Sequence, residues 1–175
     1  GGGSTGTASG NSNGVGTNAL INGPWGIKIN QNMSEAYLAD NANNRICRII
    51  LSTATVTTLA GSTTGTSGST NGIGSNAMFN SPVDVAISSD SSYLLVADSN
   101  NNQIRKLILS TSEVSFVAGS SDGSSGYVDG IGTNVKFNLP YGIAMIPGGV
   151  YALISDTSNN RIRQLTISTA SVTTL

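Results

Sequence analysis

Apolar and polar positions alternate along short segments of this chain, and the segments recur in a fixed order. The first kind of segment follows a proline, as in Trp25-Gly-Ile-Lys-Ile29, and places its large apolar side chains on one face. Alternation with a period of two predicts a β-strand. A second, nearly continuous apolar run, such as 93–97, follows a short polar turn, so the two segments predict a β-hairpin.

Two further strands follow in each unit. The third predicted strand begins at Arg45, Gln103 or Arg161, and the fourth begins at Val56, Val114 or Val172 after a short Ser-Thr turn. No segment shows the 3.6-residue periodicity of a helix. A Gly-, Ser- and Thr-rich loop of about 20 residues then leads to the next unit, which is longer than most connections in compact domains. Each unit therefore predicts four antiparallel strands.

The whole pattern repeats at an interval of 58 residues. This interval separates Pro24, Pro82 and Pro140, and it also separates the aspartates that end the second predicted strand. Four antiparallel strands at a fixed period are typical of β-propeller blades. We therefore predict an all-β fold of three propeller-type blades, either a partial propeller or a segment of a longer repeat array. The predicted repeats are 1–58, 59–116 and 117–175.

The charge content argues against two classes of partner. The chain has eight basic and nine acidic residues and no histidine. This near-neutral balance gives no electrostatic reason to expect nucleic acid or an anionic membrane surface. No apolar run approaches the ~20 residues that a membrane-spanning helix needs. The chain begins with GGGSTG rather than methionine, so we expect a mature or excised segment, and the missing signal peptide does not indicate a compartment.

The residues that usually carry out catalysis are scarce. Without histidine the chain lacks the commonest general base and the imidazole ligands of catalytic zinc, and Cys47 is the only cysteine. The G-x-G pairs of the loops are not followed by a lysine or by a predicted helix, so they are poor candidates for phosphate binding. We predict no catalytic residue, no metal ligand and no cofactor.

An aspartate and several asparagines end the second predicted strand of every repeat. The carboxylates are too few for a calcium loop, which needs several acidic ligands and a distal glutamate. We interpret these residues as structural, with the aspartate capping a turn and the asparagines accepting left-handed backbone conformations. The predicted turn residues are Asp40, Asp98, Asp156, Asn44, Asn102 and Asn160.

The residues from Phe79 to Ser120 carry a family resemblance. Their pattern, with Tyr-Leu-Leu-Val-Ala-Asp followed by Asn-Asn-Gln-Ile-Arg-Lys-Leu and a final Ala-Gly-Ser, resembles the NHL repeat, and the resemblance covers essentially the whole chain. It implies blades of a propeller, commonly six-bladed, that serves mostly as a binding platform and occasionally as a lyase. The chain departs from the pattern at Asp84, where the other repeats have glycine, and at Cys47, where they have arginine.

Candidate binding residues lie where the repeats differ from one another. Trp25 and Tyr141 follow the repeat proline and are able to stack on a sugar or a peptide, although their alternation with isoleucines favours packing between blades. Asp84 is a candidate polar contact. Asn32 begins the sequon Asn32-Met33-Ser34 in a predicted hairpin turn and is a candidate glycosylation site.

Three blades do not close a ring, because propellers need about four to eight. The chain is then part of a longer polypeptide, half of a two-copy ring, or a unit of an end-to-end array, and we favour the first.

The predicted functions also fall into three classes. We predict a non-catalytic extracellular or cell-surface structural or adhesive module whose partners are copies of itself or further repeats. The alternatives are a propeller that binds a protein, peptide or glycan on one face and, as a minor option, a lyase- or lactonase-like enzyme.

Overall fold

The computed structural model describes residues 8–175, and the first seven residues of the predicted first repeat lie outside the described range. Three antiparallel sheets follow one another along the chain. The first contains β1 (Gly14–Val15), β2 (Pro24–Ile29), β3 (Glu35–Asp40), β4 (Arg45–Ile50) and β5 (Thr55–Gly61). The second contains β6 (Gly72–Ile73), β7 (Pro82–Ile87), β8 (Tyr93–Asp98), β9 (Gln103–Ile108) and β10 (Glu113–Gly119). The third contains β11 (Gly130–Ile131), β12 (Pro140–Met145), β13 (Tyr151–Asp156), β14 (Arg161–Thr166) and β15 (Ser171–Thr174).

Single-turn 3-10 helices are the helical elements of the described part of the chain, and none of them is long enough to cross a bilayer. They lie in two equivalent places in every repeat, before the first long strand and after the second. Their bounds are Gly16–Asn18, Asn41–Asn43, Gly74–Asn76, Ser99–Asn101, Gly132–Asn134 and Thr157–Asn159.

The prediction of four strands per repeat is confirmed for the long strands but misses a fifth. In each sheet a two-residue strand from the preceding loop pairs with the outermost strand, as Gly14 and Val15 do with Val56 and Thr55. A pair of residues is too short to show an alternating pattern. Its position is held by side chains, since Asn13 Oδ1 accepts a hydrogen bond from the Thr58 N–H at 2.8 Å. The predicted boundaries at 58/59 and 116/117 fall within β5 and β10.

The three sheets stack as propeller blades, which we number 1 to 3 in chain order. Each long strand presents alternate residues to its two neighbours. In blade 2, Val85 and Leu94 pack toward blade 1, whereas Ala86 and Leu95 pack toward blade 3. Two apolar cores therefore lie between blades, in the interfaces that we call seams. The inner strands β2, β7 and β12 lie side by side at the centre of the stack.

A buried ion pair occupies the same corner of every blade. Asp98 Oδ2 and Arg105 Nη1 lie 3.0 Å apart, and both side chains are fully buried. Asp98 also accepts hydrogen bonds from the Asn80 N–H and from Asn101 Nδ2. Burial raises the pKa of Asp98 to about 6, and these hydrogen bonds and the charge of Arg105 oppose the rise. The equivalent pair in blade 3 joins Asp156 and Arg163 at 2.6 Å.

Blade 1 keeps this ion pair although Cys47 stands at the position of the arginine. The guanidinium comes instead from Arg45, two residues earlier on β4, whose Nε lies 2.7 Å from Asp40 Oδ2. Residues two apart on a strand share a face, so both positions reach the same carboxylate. Arg45 Nη2 also donates to the Leu20 carbonyl, the equivalent of the Met78 carbonyl that Arg105 contacts.

Asparagines in the left-handed conformation connect the blades. Asn44 has a φ of 54°, and its Oδ1 accepts the Ser81 N–H of blade 2 at 2.7 Å while its Nδ2 donates to the Gly65 carbonyl at 2.7 Å. Asn102 makes the same two bonds to Leu139 and Gly123, both at 2.8 Å. Each side-chain amide thus bonds to two backbone groups across or beside a seam.

In blade 1 the arginine stands at position 45 instead of position 47, and this exchange predicts the stability of two variants. Arg45→Gln leaves Asp40 buried without its guanidinium and should lower the free energy of unfolding by about 3–5 kcal/mol. Arg45→Gln combined with Cys47→Arg recreates the Gln103 and Arg105 pattern of blade 2 and should recover most of that loss. Urea unfolding measures both changes.

The exposed Arg161 provides the control for this pair of variants. Arg161→Gln should change the free energy of unfolding by less than about 1 kcal/mol, because exposed charges contribute little. If the double variant loses as much free energy of unfolding as its two single variants together, positions 45 and 47 are not equivalent sites for the arginine.

Candidate ligand-binding groove

The inner strands β2, β7 and β12 form an open groove at the ends where their prolines lie. Each strand contributes the residues that follow its proline, so equivalent positions of all three repeats meet there. The groove has a volume of about 460 Å³ and is lined by Pro24, Trp25, Gly26, Val83, Asp84, Tyr141 and Gly142. The three candidate binding residues named from the sequence, Trp25, Asp84 and Tyr141, therefore lie together.

Two aromatic rings meet across this groove. The ring centroids of Trp25 and Tyr141 are 5.6 Å apart, with an angle of 76° between the planes, which is an edge-to-face arrangement. Trp25 is 55% exposed, whereas Val83, the equivalent residue of blade 2, is 6% exposed. The sequence pattern favoured packing between blades at this position. Val83 is buried in this way, but Trp25 is not.

Asp84 forms part of the framework of the groove. Its Oδ1 lies 3.3 Å from Lys28 Nζ of blade 1 and accepts its neighbour's Val85 N–H at 2.9 Å. Its Oδ2 accepts the Ile143 N–H of blade 3 at 3.1 Å. One carboxylate therefore joins the inner strands of all three blades, and both of its oxygens are already engaged.

Lys28 is a residue of this site that the sequence analysis missed. It stands where blades 2 and 3 have Ala86 and Ala144, and its side chain is 40% exposed beside the carboxylate. The signal was present in the sequence, because positions 28 and 84 both depart from their repeat equivalents and carry opposite charges. A comparison of one repeat position at a time does not detect such a pair.

Gly26 provides the space for the side chain of Asp84, and the equivalent Gly142 does not. A Cβ at Gly26 would overlap the Asp84 side chain, and it would lie 2.7 Å from the Asp84 Cα. Gly142 has more room, since a Cβ there would meet Ser155 Oγ at 3.0 Å. Ser155 Oγ in turn accepts the Gly142 N–H at 2.7 Å. The steric fit is therefore between Gly26 and Asp84, while Gly142 faces Ser155.

The predicted turn residues do not line the groove. Asp40, Asp98 and Asp156 are fully buried, and none makes a side-chain hydrogen bond that caps the 3-10 turn after it. Their carboxylates instead accept hydrogen bonds from the chain before the inner strand and from the blade's arginine. The asparagines that follow have φ values of 53–55°. Within residues 8–175, no cluster of three or more Asp, Glu, Cys or His side chains is arranged to hold a metal ion.

A second, polar groove of about 360 Å³ lies beside the predicted glycosylation site. Glu35 bonds there to two partners, Arg48 Nη2 at 2.7 Å and the Tyr37 hydroxyl at 2.6 Å. Burial and the hydrogen bond to Glu35 raise the pKa of Tyr37. Asn32 is exposed in the adjacent hairpin turn, where the Ser34 hydroxyl donates to its Oδ1 at 2.6 Å.

Cys47 has none of the features of a reactive thiol. Its side chain is fully buried beside Asp40, and burial raises the pKa of the thiol to about 12. Reactive cysteines have a lowered pKa and access to solvent. Cys47 is therefore part of the apolar packing of blade 1.

Comparison with known proteins agrees with the repeat pattern. No family model matches the chain. NHL repeat-containing protein 2 of Bos taurus is 39% identical over 111 residues, which is 62% of this chain and 15% of that protein. The protein of the same name from Homo sapiens is 36% identical over 114 residues, 63% of this chain and 15% of its own length. The chain thus spans about 15% of the length of these curated relatives.

Solved structures show the same architecture. An auxiliary nutrient binding protein from Bacteroides thetaiotaomicron superposes with a TM-score of 0.71 at 24% identity, over 85% of this chain and 36% of that one. Virginiamycin B lyase from Staphylococcus aureus superposes with a TM-score of 0.57 at 18% identity, over 87% of this chain and 40% of that one. These similarities concern the fold alone. The relatives confirm the resemblance to the NHL repeat, and the solved structures confirm the β-propeller fold.

The steric fit at Gly26 predicts unequal effects of one substitution at two equivalent positions. Gly26→Ala should lower the free energy of unfolding by about 1–3 kcal/mol, because the new methyl group displaces the Asp84 carboxylate and the strand that carries it. Gly142→Ala should cost less, since the Ser155 hydroxyl is the far end of a short side chain and is able to rotate away. Thermal and urea unfolding compare the two variants, and an equal loss at both positions would argue against the fit.

Proposed function

We propose that these three blades form a non-catalytic binding module whose groove takes a peptide or a glycan. The observation that carries the proposal is the meeting of Trp25 and Tyr141, from the first and third blades, over a floor of glycines. Paired aromatic rings suit the flat apolar faces of sugars and prolines.

The side chains of the groove support binding more than catalysis. Asp84 is the one carboxylate among its lining residues, and three hydrogen-bond donors already engage it. General acid–base catalysis needs a group that is free to exchange a proton with the substrate. Asp84 instead fixes the positions of the strands that carry the two aromatic rings. The absence of enzymatic activity is therefore part of the proposal, and the lyase- or lactonase-like alternative remains the minor one.

An extracellular structural or adhesive role is the second candidate. The hydroxyl-rich loop 63–71 is mostly exposed, as is Asn32, so both are accessible to attached sugars. Blades of one kind that pack on one another in the same way also suit end-to-end assembly into an array or fibre at the cell surface.

The groove proposal is testable by fluorescence, because Trp25 is the only tryptophan of the chain. A panel of oligosaccharides and proline-containing peptides is titrated while Trp25 emission is recorded. We expect at least one class to shift the emission, and we expect Tyr141→Ala to weaken its binding about tenfold or more by removing one stacking face.

Tyr127→Ala is the control for this titration. Tyr127 is 47% exposed on blade 3, stacks on Arg161 and does not line the groove, so its loss should leave binding unchanged. Equal losses in the two tyrosine variants, or an emission that no compound in the panel alters, would reject the groove as the binding site.

The structural role predicts a particular appearance of the native material. Electron microscopy of protein from its natural source should show blades continuing from particle to particle, and intact mass spectrometry should show attached hexose or N-acetylhexosamine. Discrete discs without end-to-end contacts would reject the fibre, and an unmodified mass would reject the glycoprotein.

A further inference from the structure

The polar groove beside Asn32 lies at the rim of the seam between blades 1 and 2. Blade 1 contributes Glu35 and Arg48 together with its first hairpin turn, and blade 2 contributes Ser91 and Ser110. The walls of the groove therefore come from two blades that pack on each other, not from an uncovered outer face. The groove lies at the end of β2, whereas the groove lined by Trp25 lies at its beginning.

Blade 1 departs from the repeat at the residues that line this polar groove. Glu35 and Tyr37 stand where both other blades have a tyrosine and a leucine. In the seam between blades 2 and 3, the equivalent Leu95 is fully buried, and the ring of Tyr93 lies 4.3 Å from Lys106 Nζ. One seam thus has an apolar residue and an aromatic ring where the other has a phenol and a carboxylate.

The charged residues of the polar groove form a pair of opposite sign. Arg48 Nη2 lies 2.7 Å from Glu35 Oε1, and the two side chains are 40% and 22% exposed. The Tyr37 hydroxyl donates to the other carboxylate oxygen at 2.6 Å. Because the opposite charges lie side by side, a single ion would meet a charge of its own sign there. The pair therefore favours a neutral ligand with both donors and acceptors.

The hairpin turn holds the polar groove in place before any ligand arrives. Asn30 is buried, and its Oδ1 accepts the N–H groups of Ser34 and Glu35 at 3.0 and 3.1 Å. Such preorganisation lowers the entropic cost of binding. The buried Nε of Arg48 has no hydrogen-bond partner within residues 8–175. The guanidinium thus retains hydrogen-bonding capacity in a turn that is otherwise fixed.

We propose that the polar groove binds one neutral sugar unit through adjacent hydroxyl groups. A hydroxyl both donates and accepts, so one hydroxyl donates to the Glu35 carboxylate while its neighbour accepts from the Arg48 guanidinium. An apolar ligand would remove both charged groups from water without replacing their hydrogen bonds. The volume of about 360 Å³ falls within the range of about 300–1,000 Å³ that small-molecule sites occupy. This site goes beyond the proposed function and does not depend on it.

Titration of the isotope-labelled, unglycosylated 175-residue chain by nuclear magnetic resonance tests the proposal. The probes are D-mannose, D-galactose and N-acetyl-D-glucosamine. We expect at least one of them to bind with a millimolar Kd and to shift the backbone amides of Ser34, Glu35 and Ser91. Glu35→Gln and Arg48→Gln should each weaken binding about tenfold, because each removes a charged partner of a sugar hydroxyl. Both side chains are partly exposed, so we expect both variants to fold.

Lys106→Gln is the matched control, since Lys106 stands at the position of Arg48 in the next seam and does not line the polar groove. It should leave sugar binding unchanged. Amide shifts that none of the three sugars causes, or an equal loss in Lys106→Gln, would overturn the proposal. So would Arg48-dependent binding of inorganic phosphate or acetate in place of the sugars.

Tyr141→Ala separates this site from the groove lined by Trp25. Sugar binding at the polar groove should persist in Tyr141→Ala and decline in Glu35→Gln. The reverse result would place the sugar between the aromatic rings and would overturn this proposal while supporting the proposed function. Loss of Trp25 emission changes with retained shifts at Ser34 would reject the proposed function alone.

Discussion

The buried ion pair between aspartate and arginine fixes the geometry on which each blade depends. The aspartate ends the second long strand, and its carboxylate accepts the backbone N–H of the residue two positions before the proline, as Asp98 does from Asn80. The arginine comes from the third long strand and also contacts the preceding loop. A buried carboxylate without these partners is strongly unfavourable, so the pair enforces one arrangement of loop and strands even though its net contribution to stability is small. Blade 1 shows the strength of this requirement, because Arg45 supplies the charge when Cys47 does not.

In blades 1 and 2, the asparagine four residues after the aspartate extends this arrangement to the next blade. Its left-handed backbone conformation turns the side-chain amide toward the neighbouring inner strand, where it bonds to a backbone N–H that no strand partner uses. Each blade thus contacts the next by the same few bonds and the same apolar face. Such an array has stability that is close to a sum of repeat and seam terms.

The groove differs from the rest of the molecule because it does not follow the repeat. Gly26, Asp84 and Gly142 occupy one repeat position, and the aspartate fits there only because its neighbour Gly26 has no side chain. Lys28 breaks the repeat at a second position and pairs with that aspartate. The Asp84 carboxylate joins the three inner strands, and these strands hold the two aromatic rings at the open groove. The proposed binding role thus depends on a few departures from an otherwise regular framework.

The sequence by itself determined the repeat, the all-β class and the four long strands, because alternation and turn residues act over a few positions and recur every 58 residues. It also brought forward Trp25, Asp84 and Tyr141, since departures from a repeat are visible without coordinates. It did not predict the two-residue strands β1, β6 and β11, which exist only through pairing with a distant strand. Nor did it reveal that Lys28 and Ile143 engage Asp84, or that Arg45 replaces the arginine missing at position 47. Those facts depend on which residues of separate strands and blades come within hydrogen-bonding distance, and only tertiary packing decides that.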